Sequence, residues 1–231
     1  MQHWTGTPII DAPVLHRLMR TLAALDIILS EEEWLRVHRY HNNTLQSDAA
    51  WGSVHNGAGD HLHVLFTNKG TLLKGFDHES PLSPHNGEDD EIYPGMYDEV
   101  PECFMRILDQ HEDALDRDDV TFCIWQEKDQ LNWMTGRWLE LAAAEEDESD
   151  AEGGAAFLLG YIEETPEAYI DWAEGYYDIQ AMSLAAVTEI YNEAPISAEL
   201  IRRLNPKRDV SAALDELERY GYAVLRGEGS K

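Results

Sequence analysis

Apolar and polar residues alternate along residues 60–80, DHLHVLFTNKGTLLKGFDHES. Leu62, Val64 and Phe66 occupy every second position, and a period of two is typical of a strand that buries one face. An Asn-Lys-Gly connection follows, with glycine where a left-handed residue closes a hairpin. The pattern therefore predicts an antiparallel hairpin over 61–76 in which these three side chains face the core.

Apolar residues at three- and four-residue spacing predict helices before this hairpin. The first predicted helix runs over 14–28. Ser30 and Glu33 then have the spacing of a capping box, which predicts a second helix to about His41 with Trp34 on its inner side. The spacing is lost over 42–59, where Asn, Ser and Gly residues predict a loop.

The chain beyond the hairpin predicts a second pair of strands and then mostly helices. An apolar run over 120–125 and its return over 131–135 bring the expected number of antiparallel strands to about four. Further helix signals lie at 101–115 and after the capping residues Thr165, Ser197 and Asp209. We therefore expect an α+β fold, with an antiparallel sheet of about four strands flanked by helices and a mostly helical C-terminal region.

A charged, glycine-ended stretch over 145–154, EEDESDAEGG, is the best candidate for a boundary in the chain. It predicts an α+β core domain over 1–144, an acidic linker or loop, and a helical region over 155–231 that packs on the core.

The net charge restricts the partners that the protein can bind. Acidic residues number 45 against 17 basic residues, which gives a formal charge of -28. Such a surface repels phosphate backbones and anionic lipids, so we expect no nucleic-acid and no membrane partner, although the helices near the C-terminus resemble a winged-helix fragment. The sequence has no signal-peptide pattern and predicts a cytoplasmic protein. The excess of acidic residues is explained by solubility or by adaptation to salt, or else by binding to a basic protein partner.

Histidines and acidic residues around the hairpin are the candidates for metal chemistry. His61 and His63 are two residues apart on one predicted strand, so both project from the same face. Asp77, His78 and Glu79 at the end of the hairpin can approach that edge, and imidazoles with carboxylates suit a divalent metal such as zinc. No known metal motif is matched, which favours hydrogen-bonded structural histidines and no cofactor.

Three tryptophans close in sequence, Trp125, Trp133 and Trp138, are candidates for a partner-binding groove because aromatic residues are enriched at recognition hot spots. Tryptophans around a sheet are also typical of core and edge packing.

The hairpin segment LFTNKGTLLKGFDHES, followed by the turn Tyr93-Pro94-Gly95, resembles a motif shared by a group of uncharacterised bacterial proteins. The resemblance implies an α+β cytoplasmic domain. The group has no assigned activity, so the resemblance transfers no catalytic residue.

Signatures of nucleophilic enzymes and of nucleotide-binding loops are missing from the sequence. Together with the charge, this favours a non-enzymatic acidic binding protein that neutralises or regulates a basic protein partner, as a toxin immunity protein does. The alternative is a metal-dependent enzyme built on the histidine and carboxylate residues around the hairpin.

Overall fold

The structure is a computed structural model, and it describes residues 2–46, 49–86, 90–144 and 151–226. The chain forms two compact units, each built from separated stretches. Unit 1 comprises Met1–Leu15 and Asn43–Tyr161, and unit 2 comprises His16–Asn42 and Ile162–Lys231. Most of the predicted linker over 145–154 lies outside the described residues, so the predicted domain division stays a prediction.

A seven-stranded antiparallel sheet flanked by helices confirms the predicted fold class, although the sheet has more strands than the four expected. Its order is β1-β7-β6-β5-β4-β3-β2. The strands are β1 (Gln2–His3), β2 (His38–Gln46), β3 (Ala49–His55), β4 (His61–Thr67), β5 (Gly70–Phe76), β6 (Phe122–Glu127) and β7 (Met134–Thr135).

The predicted hairpin is confirmed as β4 and β5, with Val64 opposite Leu73. Leu62, Val64 and Phe66 are buried. The other face of β4 is buried too, so both of its histidines lie inside the protein. Three strands on one side of the hairpin and two on the other place it in the middle of the sheet, and a polar residue on either face is therefore shielded from water.

The predicted second helix is wrong. Only a short 3-10 turn, Glu33–Leu35, forms where the capping box was expected, and β2 begins three residues later. The backbone N–H of His38 donates to the carboxylate of buried Asp26 at 2.8 Å, a long-range bond that local propensity does not encode. The predicted loop over 42–59 is wrong for most of its length, because β2 and β3 occupy the described residues up to His55, and only 56–59 form a turn before β4.

Eight helices and a two-residue parallel pair complete the described elements. The helices are α1 (Ala12–Leu29), α2 (Glu102–Gln110), α3 (Trp138–Ala143), α4 (Ala155–Leu159), α5 (Pro166–Tyr176), α6 (Leu184–Tyr191), α7 (Ala198–Leu204) and α8 (Val210–Arg219), and the paired strands are β8 (Ile196–Ser197) and β9 (Val224–Leu225). Thr165, Ser197 and Asp209 cap their helices as predicted. Within the described ranges, no helix has the length and hydropathy to cross a bilayer.

Asp26 is the polar centre of unit 2. Its side chain is fully buried, and it accepts hydrogen bonds from the Nδ1 of His38 at 3.1 Å and from the Tyr169 hydroxyl at 2.8 Å. Together with the backbone N–H of His38, three donors form hydrogen bonds to the Asp26 carboxylate. Residues of α1, β2 and α5 are held together by it, since a buried carboxylate without donors is strongly destabilising.

We predict that Val64→Asp lowers the free energy of unfolding by roughly 3 kcal/mol or more, because it places an unpaired carboxylate among apolar side chains. Denaturant unfolding followed by circular dichroism measures the change. Lys69→Asp, which introduces the same side chain at the exposed turn of the hairpin, is the matched control. Equal unfolding midpoints for the two variants would contradict the burial of Val64 in β4.

Candidate functional site

Four polar side chains meet in unit 1: His61, His63, Lys74 and Asp116, here called the histidine cluster. The register of β4 and β5 places the first three on one face of the sheet. His63 and Lys74 are direct partners across β4 and β5, and partners in a ladder project from the same face. His61 lies two residues from His63 and shares that face, as predicted. Asp116, in the loop after α2, approaches the face from outside the sheet.

Lys74 supplies the positive charge of the histidine cluster. Its side chain is fully buried, and Nζ donates to the backbone carbonyls of Asp116 at 2.6 Å and Asp119 at 2.7 Å. Its third contact is with Nε2 of His61 at 3.4 Å. All three protons of the ammonium group are thereby directed at acceptors, which offsets much of the cost of burying the charge.

His63 connects the sheet residues of the cluster to the carboxylate of Asp116. Nε2 of His63 donates to Oδ2 of Asp116 at 3.0 Å, and Nε2 of His61 lies 3.9 Å from the same oxygen. Among the residues that the structure describes, Nδ1 of His63 is buried without a hydrogen-bond partner. The side chain of Asp116 is about one-third exposed (37%), so the carboxylate is in contact with solvent as well as with His63.

Burial fixes the charge states of this cluster. Removal from water lowers the pKa of His61 to about 3 and holds the pKa of His63 well below its usual value. Burial also lowers the pKa of Lys74 to about 7. The hydrogen bond from His63 lowers the pKa of Asp116 to about 2. Near neutral pH both imidazoles are therefore uncharged and the carboxylate is ionised, and Lys74 is predominantly the ammonium form below about pH 7.

The residues predicted to bind a metal separate into two groups. His61 and His63 join Asp116, with one ligand atom from each lying within 4.8 Å of the others. Asp77 and His78 join Asp60 instead, and Oδ1 of Asp60 accepts from Nδ1 of His78 at 2.6 Å. Glu79 is exposed and belongs to neither group.

Two imidazoles and a carboxylate are a suitable donor set for zinc, iron or manganese. Ligand atoms of a tetrahedral zinc site lie about 3.3 Å apart for bonds of about 2.0 Å, and the two separations from Asp116 Oδ2 are 3.0 and 3.9 Å. The ammonium of Lys74 opposes a metal at this point, because it contacts His61 and carries a charge of the same sign as the metal.

An open acidic depression of about 410 Å³ lies outside the histidine cluster in unit 1. It is lined by Glu112, Asp113, Asp116, Arg117, Asp118 and Asp119. Five carboxylates against one guanidinium make this part of unit 1 attractive to cations. Asp116 belongs to both the depression and the histidine cluster, and it is the point at which the buried network meets water.

The three tryptophans predicted to form a partner groove lie in the interior of unit 1. Trp125 and Trp138 are fully buried, and Trp133 is 8% exposed. Nε1 of Trp138 donates to the backbone carbonyl of Cys123 at 3.3 Å, which fixes that ring inside the unit. Core packing, the alternative interpretation of these three tryptophans, accounts for their positions.

A different tryptophan, in unit 2, is exposed. Trp34 has 73% of its surface exposed, and it follows Glu31, Glu32 and Glu33, all of them exposed. We name residues 30–36 the Trp34 turn. Nε1 of Trp34 donates to the carboxylate of Glu32 at 3.2 Å, so the ring lies directly beside a negative charge.

Buried ion pairs hold the Trp34 turn in place. Arg36 is 4% exposed, and its guanidinium forms two hydrogen bonds with the carboxylate of Glu216 and two with the carbonyl of Ser30. Arg208, also buried, donates to Glu216 at 3.2 Å and pairs with Glu31 at 3.2 Å. The paired guanidinium groups fix both ends of the turn to α8 and the residues before it.

A second exposed aromatic residue adjoins the turn. The hydroxyl of Tyr176 donates to the carbonyl of Leu35 at 3.0 Å, and the Tyr176 side chain is 40% exposed. Its ring stacks on Trp172, with centroids 5.2 Å apart and planes 14° apart. Unit 2 thus presents exposed aromatic rings next to a row of glutamates.

Sequence reasoning missed these functional candidates for separate reasons. Lys74 could have been found from the sequence, because a lysine interrupts the apolar run TLLKGF of a strand that is buried on both faces. Asp116 could not have been found from the sequence, because no local pattern distinguishes it from the acidic residues around it. Trp34 was missed through the wrong helix, which placed its side chain inside.

Comparison of the chain with known protein families, with curated proteins and with solved structures finds no match. The resemblance of the hairpin segment to uncharacterised bacterial proteins therefore stays a prediction.

We predict that acid destabilises the protein through the buried histidines. The pKa of His61 is about 3 in the folded state and near 6.5 when unfolded, so the unfolded state binds more protons between these values. The free energy of unfolding must then fall as pH drops from about 6.5 toward 3, with a slope of up to about 1.4 kcal/mol per pH unit from this residue.

Urea unfolding at a series of pH values measures this slope. His61→Gln should make the slope shallower by close to one proton, whereas Leu131→Gln, which replaces an exposed side chain that does not titrate, should leave it unchanged. An unchanged slope in the His61 variant would contradict the assignment of a neutral buried imidazole.

Proposed function

We propose that this protein binds a basic protein partner, and that the Trp34 turn is the centre of the binding surface. The observation that carries this proposal is a tryptophan with 73% exposure beside three exposed glutamates. The net charge of -28 supports the same class of partner, because a negative surface attracts positively charged proteins.

Arginine and lysine side chains of a partner suit this surface in two ways. A cation placed over the face of Trp34 gains from the ring quadrupole, and tryptophan is the best of the aromatic residues for this contact. The same cation can pair with the neighbouring carboxylates of Glu32 and Glu33. Aromatic anchors of this kind carry a large share of the energy in protein interfaces.

The scaffold of the turn favours binding because it is already ordered. Arg36 and Arg208 hold the backbone through buried ion pairs, so binding does not have to order the loop that presents Trp34. A binding protein that neutralises a basic toxin would present such a surface. The product of an adjacent gene is the first natural partner to test, and peptides provide an independent probe.

We predict that Trp34→Ala weakens binding of arginine- and lysine-rich peptides at least tenfold. The peptides are selected from a random display library against the full chain, and their Kd is measured by calorimetry. Leu131→Ala removes another large exposed side chain, 94% exposed in unit 1, and should leave the Kd unchanged.

Charge is tested separately with Glu32→Gln combined with Glu33→Gln, which should reduce the dependence of the Kd on salt. Selection of peptides without basic residues, or equal loss of affinity in the Leu131 variant, would contradict the proposed surface.

A second candidate is the metal-dependent enzyme, favoured by the grouping of His61, His63 and Asp116. It predicts stoichiometric zinc, iron or manganese in protein purified without a metal-affinity step. Asp116→Asn should release the metal, and His78→Ala, in the separate group around Asp60, should retain it. Lys74→Met should bind the metal more tightly, because it removes a competing positive charge. Protein that carries no metal and takes up no added zinc would contradict this candidate.

A further inference from the structure

Unit 2 contains a small cavity of about 150 Å³ between α1 and the chain segments that carry Ile190 and Tyr222. Its lining is mostly apolar, with Ala24 and Ile196 buried at its inner side and Glu193 and Ala223 exposed. A cavity of this size accommodates an organic ligand of roughly six non-hydrogen atoms or a little more, comparable to benzene. The lining also includes Arg20 and Glu193, two side chains of opposite charge that a gap left by imperfect packing would not need.

Arg20 is held in this cavity by its aromatic neighbours. Its guanidinium carbon lies 5.6 Å from the ring centroid of Tyr40 and 5.5 Å from that of Tyr222, so two rings flank the charged group. Nη2 donates to the carbonyl of Gly221 at 3.4 Å, a long contact. Within the described part of the chain, Nε is buried and has no hydrogen-bond partner.

An arginine fixed in this way is a preorganised receptor for an anion. The rings and the Gly221 carbonyl restrict the planar group, and the buried, unpaired Nε–H of Arg20 is costly until an acceptor meets it. A carboxylate is the acceptor whose geometry matches the guanidinium edge. The cavity beside Arg20 gives that carboxylate room.

Glu193 lines the same cavity from its exposed side. Its backbone lies in the left-handed region with φ of 56°, which is common for the residue that follows the C-cap of a helix. The Glu193 N–H donates to the Ile190 carbonyl at 2.9 Å and the Ala194 N–H donates to the Glu189 carbonyl at 3.0 Å, and these bonds fix the end of α6 at this place. A carboxylate at this place selects ligands that also carry a positive group.

We propose that the cavity binds a small α-amino acid with an apolar side chain, whose carboxylate meets Arg20, whose ammonium group meets Glu193, and whose side chain packs against Ala24, Ile190 and Ile196. Opposite charges on an apolar lining disfavour a simple anion, because Glu193 repels it, and disfavour a simple amine, because Arg20 repels it. This site is independent of the proposed partner-binding surface.

Calorimetric titration of the full chain with three matched probes tests the proposal. The probes are L-valine, 3-methylbutanoate, which lacks the amine, and 2-methylpropylamine, which lacks the carboxylate. We expect L-valine to bind with a Kd in the millimolar range or below. Loss of the amine should weaken binding at least tenfold, and loss of the carboxylate should abolish it. L-alanine and L-leucine measure the size limit of the cavity.

Variants connect the binding to the cavity. Arg20→Met should abolish binding, and Arg17→Met, an exposed arginine on the same helix, should not change it. Because Arg20→Met also removes two aromatic contacts, Ala194→Leu provides a second test that fills the cavity and keeps the arginine. Glu193→Gln should weaken binding of L-valine but not of 3-methylbutanoate.

Failure of all three amino acids to bind overturns the proposal. Equal binding of L-valine and 3-methylbutanoate also overturns it, and so does unchanged binding in Ala194→Leu, because the ligand would then lie elsewhere. Loss of peptide binding in the Trp34 variant has no bearing on these outcomes, so the two proposals fail separately.

Discussion

A lysine ammonium inside a sheet that is covered on both faces is the constraint on which unit 1 depends. The charge of Lys74 cannot be stabilised by water, so the protein must bring acceptors to it. The loop after α2 does so with two backbone carbonyls, and His61 provides a third acceptor. That loop also carries Asp116 to His63, so the position of the acidic depression at the surface follows from a charge in the interior.

Unit 2 uses buried charge differently. Asp26 collects three donors inside, and the Arg36–Glu216–Arg208 group fixes a turn at the surface. Paired guanidinium groups are geometrically demanding, and this makes them suited to orient a loop rather than to add stability. The exposed ring of Trp34 is presented by such ion pairs, whereas Arg20 is held beside its cavity by the rings of Tyr40 and Tyr222.

Sequence patterns predicted the elements whose signals are local. The alternation in β4, the apolar spacing of α1 and the caps at Thr165 and Ser197 are properties of neighbouring residues. The pattern failed at β2 and β3, which contain histidine, asparagine, alanine and glycine and form strands through tertiary pairing. The same limit applies to the site: the shared face of His61 and His63 follows from a period of two, but their partnership with Lys74 and Asp116 depends on register and on a distant loop.

The division of unit 2 into two stretches has a consequence for its synthesis. Helix α1 leaves the ribosome with a stripe of apolar side chains that includes Leu22 and Leu25, whereas the residues of α5 to α8 follow only after Tyr161. About 120 residues separate Asn42 from Ile162, and at 5–20 residues per second their translation takes roughly 6 to 24 s. Unit 1 can complete its sheet in that interval, whereas the apolar stripe of α1 stays exposed until the later residues of unit 2 are synthesised. Nascent chains of this protein are therefore expected to be clients of ribosome-associated chaperones until the C-terminal helices emerge.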